Sequence, residues 1–173
     1  MKRTFILLVL AVALPAAVAA QQNPANSTPK PAKTSRPATQ RMSGDKGAVL
    51  AVIREFEHDF NTGDPGWMKL CADQASIIDE FPPYAWSGSN TCKQWGDDYA
   101  ADAQKNGVTE PSVMFGHPRH LDVSGDRAYV VMPAQYNYKQ NAKPVKEVGA
   151  TITIALQKTP AGWRIASWAW SRG

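Results

Sequence analysis

Between residues 144 and 171 the chain alternates apolar and polar residues with a period of two. In "PVKEVGATITIALQK" the residues Val148, Ala150, Ile152, Ile154 and Leu156 share one parity, and Thr151, Thr153 and Gln157 take the other. Successive side chains on a strand point to opposite faces, so this pattern suits a half-buried antiparallel strand and cannot sit as a helix. The turn "TPAG" then leads into "WRIASWAWS", and upstream "SVMFGHPRHLDV" and "RAYVVMPAQYNY" are joined by "SGD". Tight turns between such runs predict consecutive hairpins. Four long antiparallel strands follow, and their apolar face needs a cover.

The N-terminal half supplies that cover. In "DKGAVLAVIREFEHDFNTGD" the residues Val49, Val52, Ile53, Phe56 and Phe60 recur at helical spacing, and the Asn61–Asp64 stretch with Gly63 closes the helix. Pro65 suits the first turn of a short second helix, "PGWMKLCA". An opening strand is predicted over 76–80. A third helix is predicted over 91–105, capped by Ser89 or Asn90 and carrying Cys92, Trp95, Tyr99 and Ala103 on one side. The order predicts an α+β domain with three N-terminal helices on one face of a curved antiparallel sheet.

Residues 1–20 read as a signal peptide: Lys2 and Arg3, the run "FILLVLAVAL", then "AAVAA". That run is shorter than the roughly 20 apolar residues of a membrane span, so the expected product is periplasmic or secreted, with no span after cleavage. Residues 21–43, rich in Pro, Ser, Thr and Lys, read as a disordered linker. Residues 44–173 then form one domain of common size. Six of the 19 basic residues precede Asp45, which leaves 13 against 15 acids, a net of −2 on the domain. A nucleic-acid reader carries its positive charge on the fold, so no nucleic-acid partner is expected. Cys71 and Cys92 both lie in the exported part and are either a disulfide pair or two buried thiols too far apart to bridge. They are not spaced as a zinc site, and no Gly-x-Ser-x-Gly elbow or phosphate-cradling glycine loop is present. Neither a metal nor a cofactor is expected.

"FNTGDPGWMKLCADQASIIDEF" and the closing "GWRIASWAW" resemble the nuclear transport factor 2-like superfamily, which includes ketosteroid isomerases and SnoaL-like polyketide cyclases. The resemblance covers most of residues 44–173. It implies a cone whose sheet wraps the helices around an apolar pocket, and it makes Asp79 the counterpart of the isomerase general base. Burial at an apolar rim raises a carboxyl pKa and suits it to proton transfer near neutral pH. Glu80, next along a strand, is expected to face solvent. The alternative for Asp79 is a structural one: capping the Pro82–Pro83 turn or pairing with Arg119 or Arg164. The isomerase tyrosine that donates to an oxyanion falls at Phe56, which has no donor, so that activity in its known arrangement is not expected. Tyr136 or Tyr138 is left as a substitute donor, and His117 or His120 as a proton-transfer partner.

The aromatic residues Tyr84, Trp86, Tyr136, Tyr138, Trp168 and Trp170 are candidate contacts for a small apolar or aromatic molecule. Trp168 and Trp170 share one parity of the last strand while Trp163 and Ile165 take the other, which predicts a strand aromatic on both faces and a homodimer through the outer sheet face. Three functions stay open: a small-molecule-binding domain, a lyase or isomerase using Asp79 as base, and a non-catalytic dimeric interaction module.

Overall fold

The computed structural model describes residues 38–173, with side chains from residue 44 onward. The expected signal peptide and most of the expected linker lie outside the described residues. Helix α1 spans Ala38–Thr62, so it reaches back into the stretch assigned to linker; no proline interrupts helical propagation after Pro37. A 3-10 segment, Pro65–Leu70, follows, with Asp64 Oδ1 accepting from the Gly66 amide at 2.7 Å. Then come β1 (Cys71–Ile78), β2 (Ala85–Ser89), α2 (Thr91–Lys105), β3 (Val108–Phe115), β4 (His120–Ser124), β5 (Arg127–Gln140), β6 (Lys143–Thr159) and β7 (Gly162–Ser171). Among the described residues, no helix is long and apolar enough to cross a membrane.

The α+β class holds, with changes of detail. The sheet has seven strands in the order β2-β1-β7-β6-β5-β3, with β4 also pairing β5. It is mixed, because β1 runs parallel to β7. The predicted strand "SVMFGHPRHLDV" is broken between Phe115 and His120, so that β3 pairs the later half of β5 and β4 the earlier half. The Pro82–Pro83 stretch is the turn of a β1–β2 hairpin that was not predicted.

Alternation packs the core. On β6, Ala150, Ile152, Ile154 and Leu156 are buried against Val130, Met132 and Ala134 of β5 and Val49, Ile53 and Phe56 of α1. Helix α1 also closes the free edge of β3. Asn61 donates to the Val113 carbonyl and accepts from its amide, Glu57 accepts from the Phe115 amide, and Arg54 donates to the Phe115 carbonyl. These side chains occupy backbone groups that would otherwise template another strand.

Two bulges overturn the parity argument. On β6, Val148 and Gly149 together oppose the single residue Gln135, since pairing jumps from Ala134–Ala150 to Tyr136–Glu147. Gly149 takes φ +84° there, a conformation that glycine adopts without strain. Glu147 therefore turns toward the concave side and Val148 is 62% exposed. On β7, Ile165 pairs Leu156 and Ser167 pairs Ala155, which leaves Ala166 as the extra residue. The face flips at that point, so Trp163, Ile165 and Trp168 are all buried in the one core. The expectation of aromatics on both faces of this strand is corrected: a single inserted residue exchanges the faces of everything after it.

Candidate functional site

A cavity of about 350 Å³ is lined by α1, α2, β3, the turn after β1 and the far halves of β5, β6 and β7. Phe56, Phe60, Phe81, Trp95, Phe115, Ile152, Trp168 and Trp170 form apolar wall. Polar groups interrupt that wall at Asp79, Tyr99, Tyr136, Tyr138, Glu147 and Arg172.

Asp79 immediately follows β1. Its amide donates to the Tyr84 carbonyl across the hairpin turn at 3.1 Å. Its Oδ1 accepts from the Glu80 amide at 2.8 Å and its Oδ2 from the Trp95 indole at 3.0 Å. Burial lifts its pKa from 3.8 to about 6; the Glu80 amide and the Trp95 and Trp168 indoles pull the other way, and the neighbouring Glu80 charge adds a little to the rise. Its carboxyl partners are these donors, and neither Arg119 nor Arg164 is among them. Arg164 donates instead to the Trp163 carbonyl.

Helix α2 presents Trp95, Tyr99, Asp102 and Ala103 to the cavity, one stripe at helical spacing that its C-cap Asn106 continues. Trp95 and Tyr99 stack with centroids 5.2 Å apart. The Tyr99 hydroxyl meets the Tyr136 hydroxyl at 2.7 Å. Burial lifts Tyr99 to about 12 and pushes Tyr136 higher still, so both stay protonated at neutral pH. Two hydroxyls sharing one hydrogen bond leave one O–H proton free for a ligand.

At the mouth, Arg172 holds Glu80 bidentately at 2.8 and 2.9 Å and reaches Glu147 Oε1 at 3.3 Å. The Tyr138 hydroxyl donates to the same Glu147 oxygen at 2.9 Å. Glu80 thus lines the cavity, against the expectation that it faces solvent. The strand ends at Ile78, so strict alternation no longer applies two residues later.

Of the residues picked from sequence, the structure brings Asp79, Tyr136, Tyr138, Trp168 and Trp170 to one cavity. Tyr84 is 57% exposed and lines no part of it. Trp86 is buried behind the wall, its indole donating to Asp98 at 2.8 Å and its ring 5.0 Å from Phe81. His117 and His120 are exposed and also line no part of it. His120 sits on β4 with Nε2 2.8 Å from Asp122, beside the Tyr129 ring. Phe56 is buried in the wall, stacked on Phe115, with no donor to offer. Cys71 and Cys92 are bonded, tying the start of β1 to the start of α2. Among the described residues no group of three or more His, Cys, Asp or Glu is placed to hold a metal ion.

Sequence reasoning missed Tyr99, Glu147 and Arg172. The spacing of Trp95 and Tyr99 on one helical face was a usable signal for the first. Glu147 had none, because the Gly149 bulge reverses its face.

The profile of the SnoaL-like domain family matches residues 49–172. No protein of curated function matches the chain. Among solved structures, an NTF2-like protein with a cystatin-like fold from Novosphingobium aromaticivorans superposes with a TM-score of 0.62 at 16% identity, over 78% of this chain and 86% of that one. An NTF2-like superfamily protein from Salmonella enterica gives 0.62 at 17% identity, over 75% and 92%. A protein from Novosphingobium aromaticivorans named provisionally as a scytalone dehydratase gives 0.64 at 9%, over 78% and 88%. The cone of mixed sheet and helices is therefore the NTF2-like fold, and the chain belongs to the SnoaL-like domain family.

Proposed function

We propose that this domain binds a small, mainly apolar or aromatic carbonyl compound in its cavity and moves a proton within it, as a lyase or isomerase with Asp79 as general base. One observation carries the reading: a carboxyl group inside an aromatic cavity with its pKa lifted to about 6. A base so placed is ionised at neutral pH yet holds a proton more tightly than a solvated carboxylate does. It takes the proton from the carbon beside the carbonyl, and the C–H electrons move onto the carbonyl oxygen. The spare O–H of the Tyr99–Tyr136 pair supplies the donor that Phe56 lacks. Returning the proton to another carbon completes an isomerisation; expelling a β-hydroxyl as water completes an elimination.

The leader-like opening and the Cys71–Cys92 bond support an exported protein in an oxidising compartment. A homodimer would rest on an outer face of Thr151, Thr153, Ala155 and Ala169 together with Tyr129, Val131 and Pro133 opposite them on β5, because the tryptophans of β7 that argued for it face inward or line the cavity.

The test is hydrogen–deuterium exchange into a panel of aromatic and alicyclic ketones in D₂O, followed by mass spectrometry. Wild type should accelerate exchange beside the carbonyl of at least one ketone, on an acidic limb near pH 6, and Asp79→Asn should lose about 10²- to 10⁴-fold. A ketone that quenches the cavity tryptophans yet exchanges at the buffer rate would leave a binding domain without catalysis.

A further inference from the structure

Trp95 touches both working parts of the cavity. Its indole N–H donates to Asp79 Oδ2 at 3.0 Å, and its ring stacks on Tyr99 with centroids 5.2 Å apart and planes 14° apart. Trp95 thus makes the side-chain hydrogen bond to the Asp79 carboxyl group, and the Glu80 amide makes the backbone one. Trp168, edge-on to Trp95 at 5.2 Å, favours the ionised carboxyl more weakly.

Helix α2 delivers this ring in a fixed register. One turn earlier, Cys92 is bonded to Cys71 at the start of β1. Beside it the Thr91 hydroxyl donates to the Gly88 carbonyl at 2.7 Å, with the Ala75 carbonyl 3.2 Å away. Trp67 and Trp168 meet the Trp95 ring edge-on at 5.6 and 5.2 Å, and only 6% of Trp95 is exposed. A large ring packed on several sides has little freedom to turn, so it fixes what it touches. The Asp79 charge adds to the raised pKa of Tyr99, which puts base and phenol within electrostatic reach of each other.

We infer that Trp95 is the positioning residue of this site: its indole N–H aims the Asp79 carboxyl group and its ring places Tyr99, so one side chain keeps base and oxyanion donor in register. This rests on the proton-transfer reading and says how that site holds its geometry. Base and donor act on adjoining atoms of one ligand, the carbon that loses a proton and the oxygen that gains charge. An error of about 1 Å between them costs about 10²-fold in rate. The other charged or titratable groups around Asp79 in the cavity are held elsewhere: Glu80 by Arg172, Glu147 by Tyr138 and Arg172, and Tyr136 by Tyr99. Asp102 stands on α2 one turn beyond Tyr99.

Two replacements delete the N–H and keep a ring. Trp95→Phe leaves a smaller one; β-(3-benzothienyl)alanine, inserted at position 95 alone, puts sulfur in place of the N–H and keeps the size. Asp79 is followed by ¹³C NMR of the aspartate carboxyl carbons, assigned with Asp79→Asn. Both replacements should raise its titration midpoint from about 6 by about 1 pH unit, because the ionised carboxyl loses a charge-assisted hydrogen bond. At pH 9 the carboxyl is ionised in every variant, yet ketone exchange should still fall about tenfold or more in Trp95→Phe. Ketone affinity, read from the remaining tryptophans, should stay within about twofold. Trp86→Phe deletes the same kind of bond, from an indole to Asp98 behind the wall, and should leave the Asp79 midpoint in place. A midpoint that stays put in both Trp95 replacements, or that moves equally in Trp86→Phe, overturns the inference. So does an exchange rate that recovers fully at pH 9. A wild type that exchanges no ketone, with the midpoint shift intact, sustains the hold of Trp95 on Asp79 and removes the proton-transfer reading alone.

Discussion

The same three strands build two unlike halves of this molecule. In the sealed half, Val130 of β5, Ile154 and Leu156 of β6 and Ile165 of β7 meet Val49 and Ile53 of α1, all aliphatic and buried almost completely. In the open half, those strands carry Tyr136 and Tyr138, Glu147, and Trp168 and Trp170 around a cavity of about 350 Å³. Regular alternation gives the first half. A bulge on β6 and a bulge on β7 separate it from the second. Branched aliphatic side chains interdigitate until no space remains. Rigid rings wall a space without filling it, and their polar tips keep partners there. A hollow in a packed fold is thus made by breaking the strand period and changing the residue type together.

The largest expected effect tests that contrast directly. Ile154→Ala in the sealed half should cost about 2–5 kcal/mol, because it leaves a new void. Ile152→Ala, two residues away on the same strand, only widens a cavity that exists and should cost about 1 kcal/mol less. Equal losses in urea denaturation would break the comparison.

Next comes the charge in the open half. The folded pKa of Asp79 is raised above its usual 3.8 to about 6. The stability gained by holding that proton is complete below pH 3.8 and is lost as pH rises through about 6. The loss amounts to about 3 kcal/mol. Asp79→Asn loses one of the two hydrogen bonds that the carboxyl accepts, a cost that does not change with pH. Its stability relative to wild type should nevertheless rise by up to about 3 kcal/mol between pH 4 and pH 7, the difference between the two urea curves cancelling all other carboxyl groups. A difference that stays flat across that range would place Asp79 in water and remove the contrast between the halves. The smallest effect concerns the boundary. Gly149→Ala forces a side chain into the φ +84° conformation and should cost about 1 kcal/mol, in calorimetry or urea. A neutral result would mean that the bulge does not depend on glycine.

The helical period of Val49, Ile53 and Phe56, the alternation from Ala150 to Leu156 and the hairpin turns were legible because each is local. They gave the class and the core. Asp79 was legible for a different reason: an acid set where an apolar strand ends and aromatics follow is conspicuous in any reading of the chain. The histidines of "GHPRH" were equally conspicuous and still lie on the surface, because conspicuous residue types carry no information about which way a strand faces.

By itself, then, the sequence determined the helices, the long strands β5 to β7, the apolar face of the core and the acid at the end of the first strand, since propensity and periodicity act over a few residues. Only the tertiary structure decided that Glu147, Arg172, Tyr99 and Tyr136 converge with Asp79 on one hollow, and that the last tryptophans face inward. Those outcomes depend on pairing register. One unpaired residue between neighbouring strands reverses every side chain beyond it, and no local pattern records that it is there.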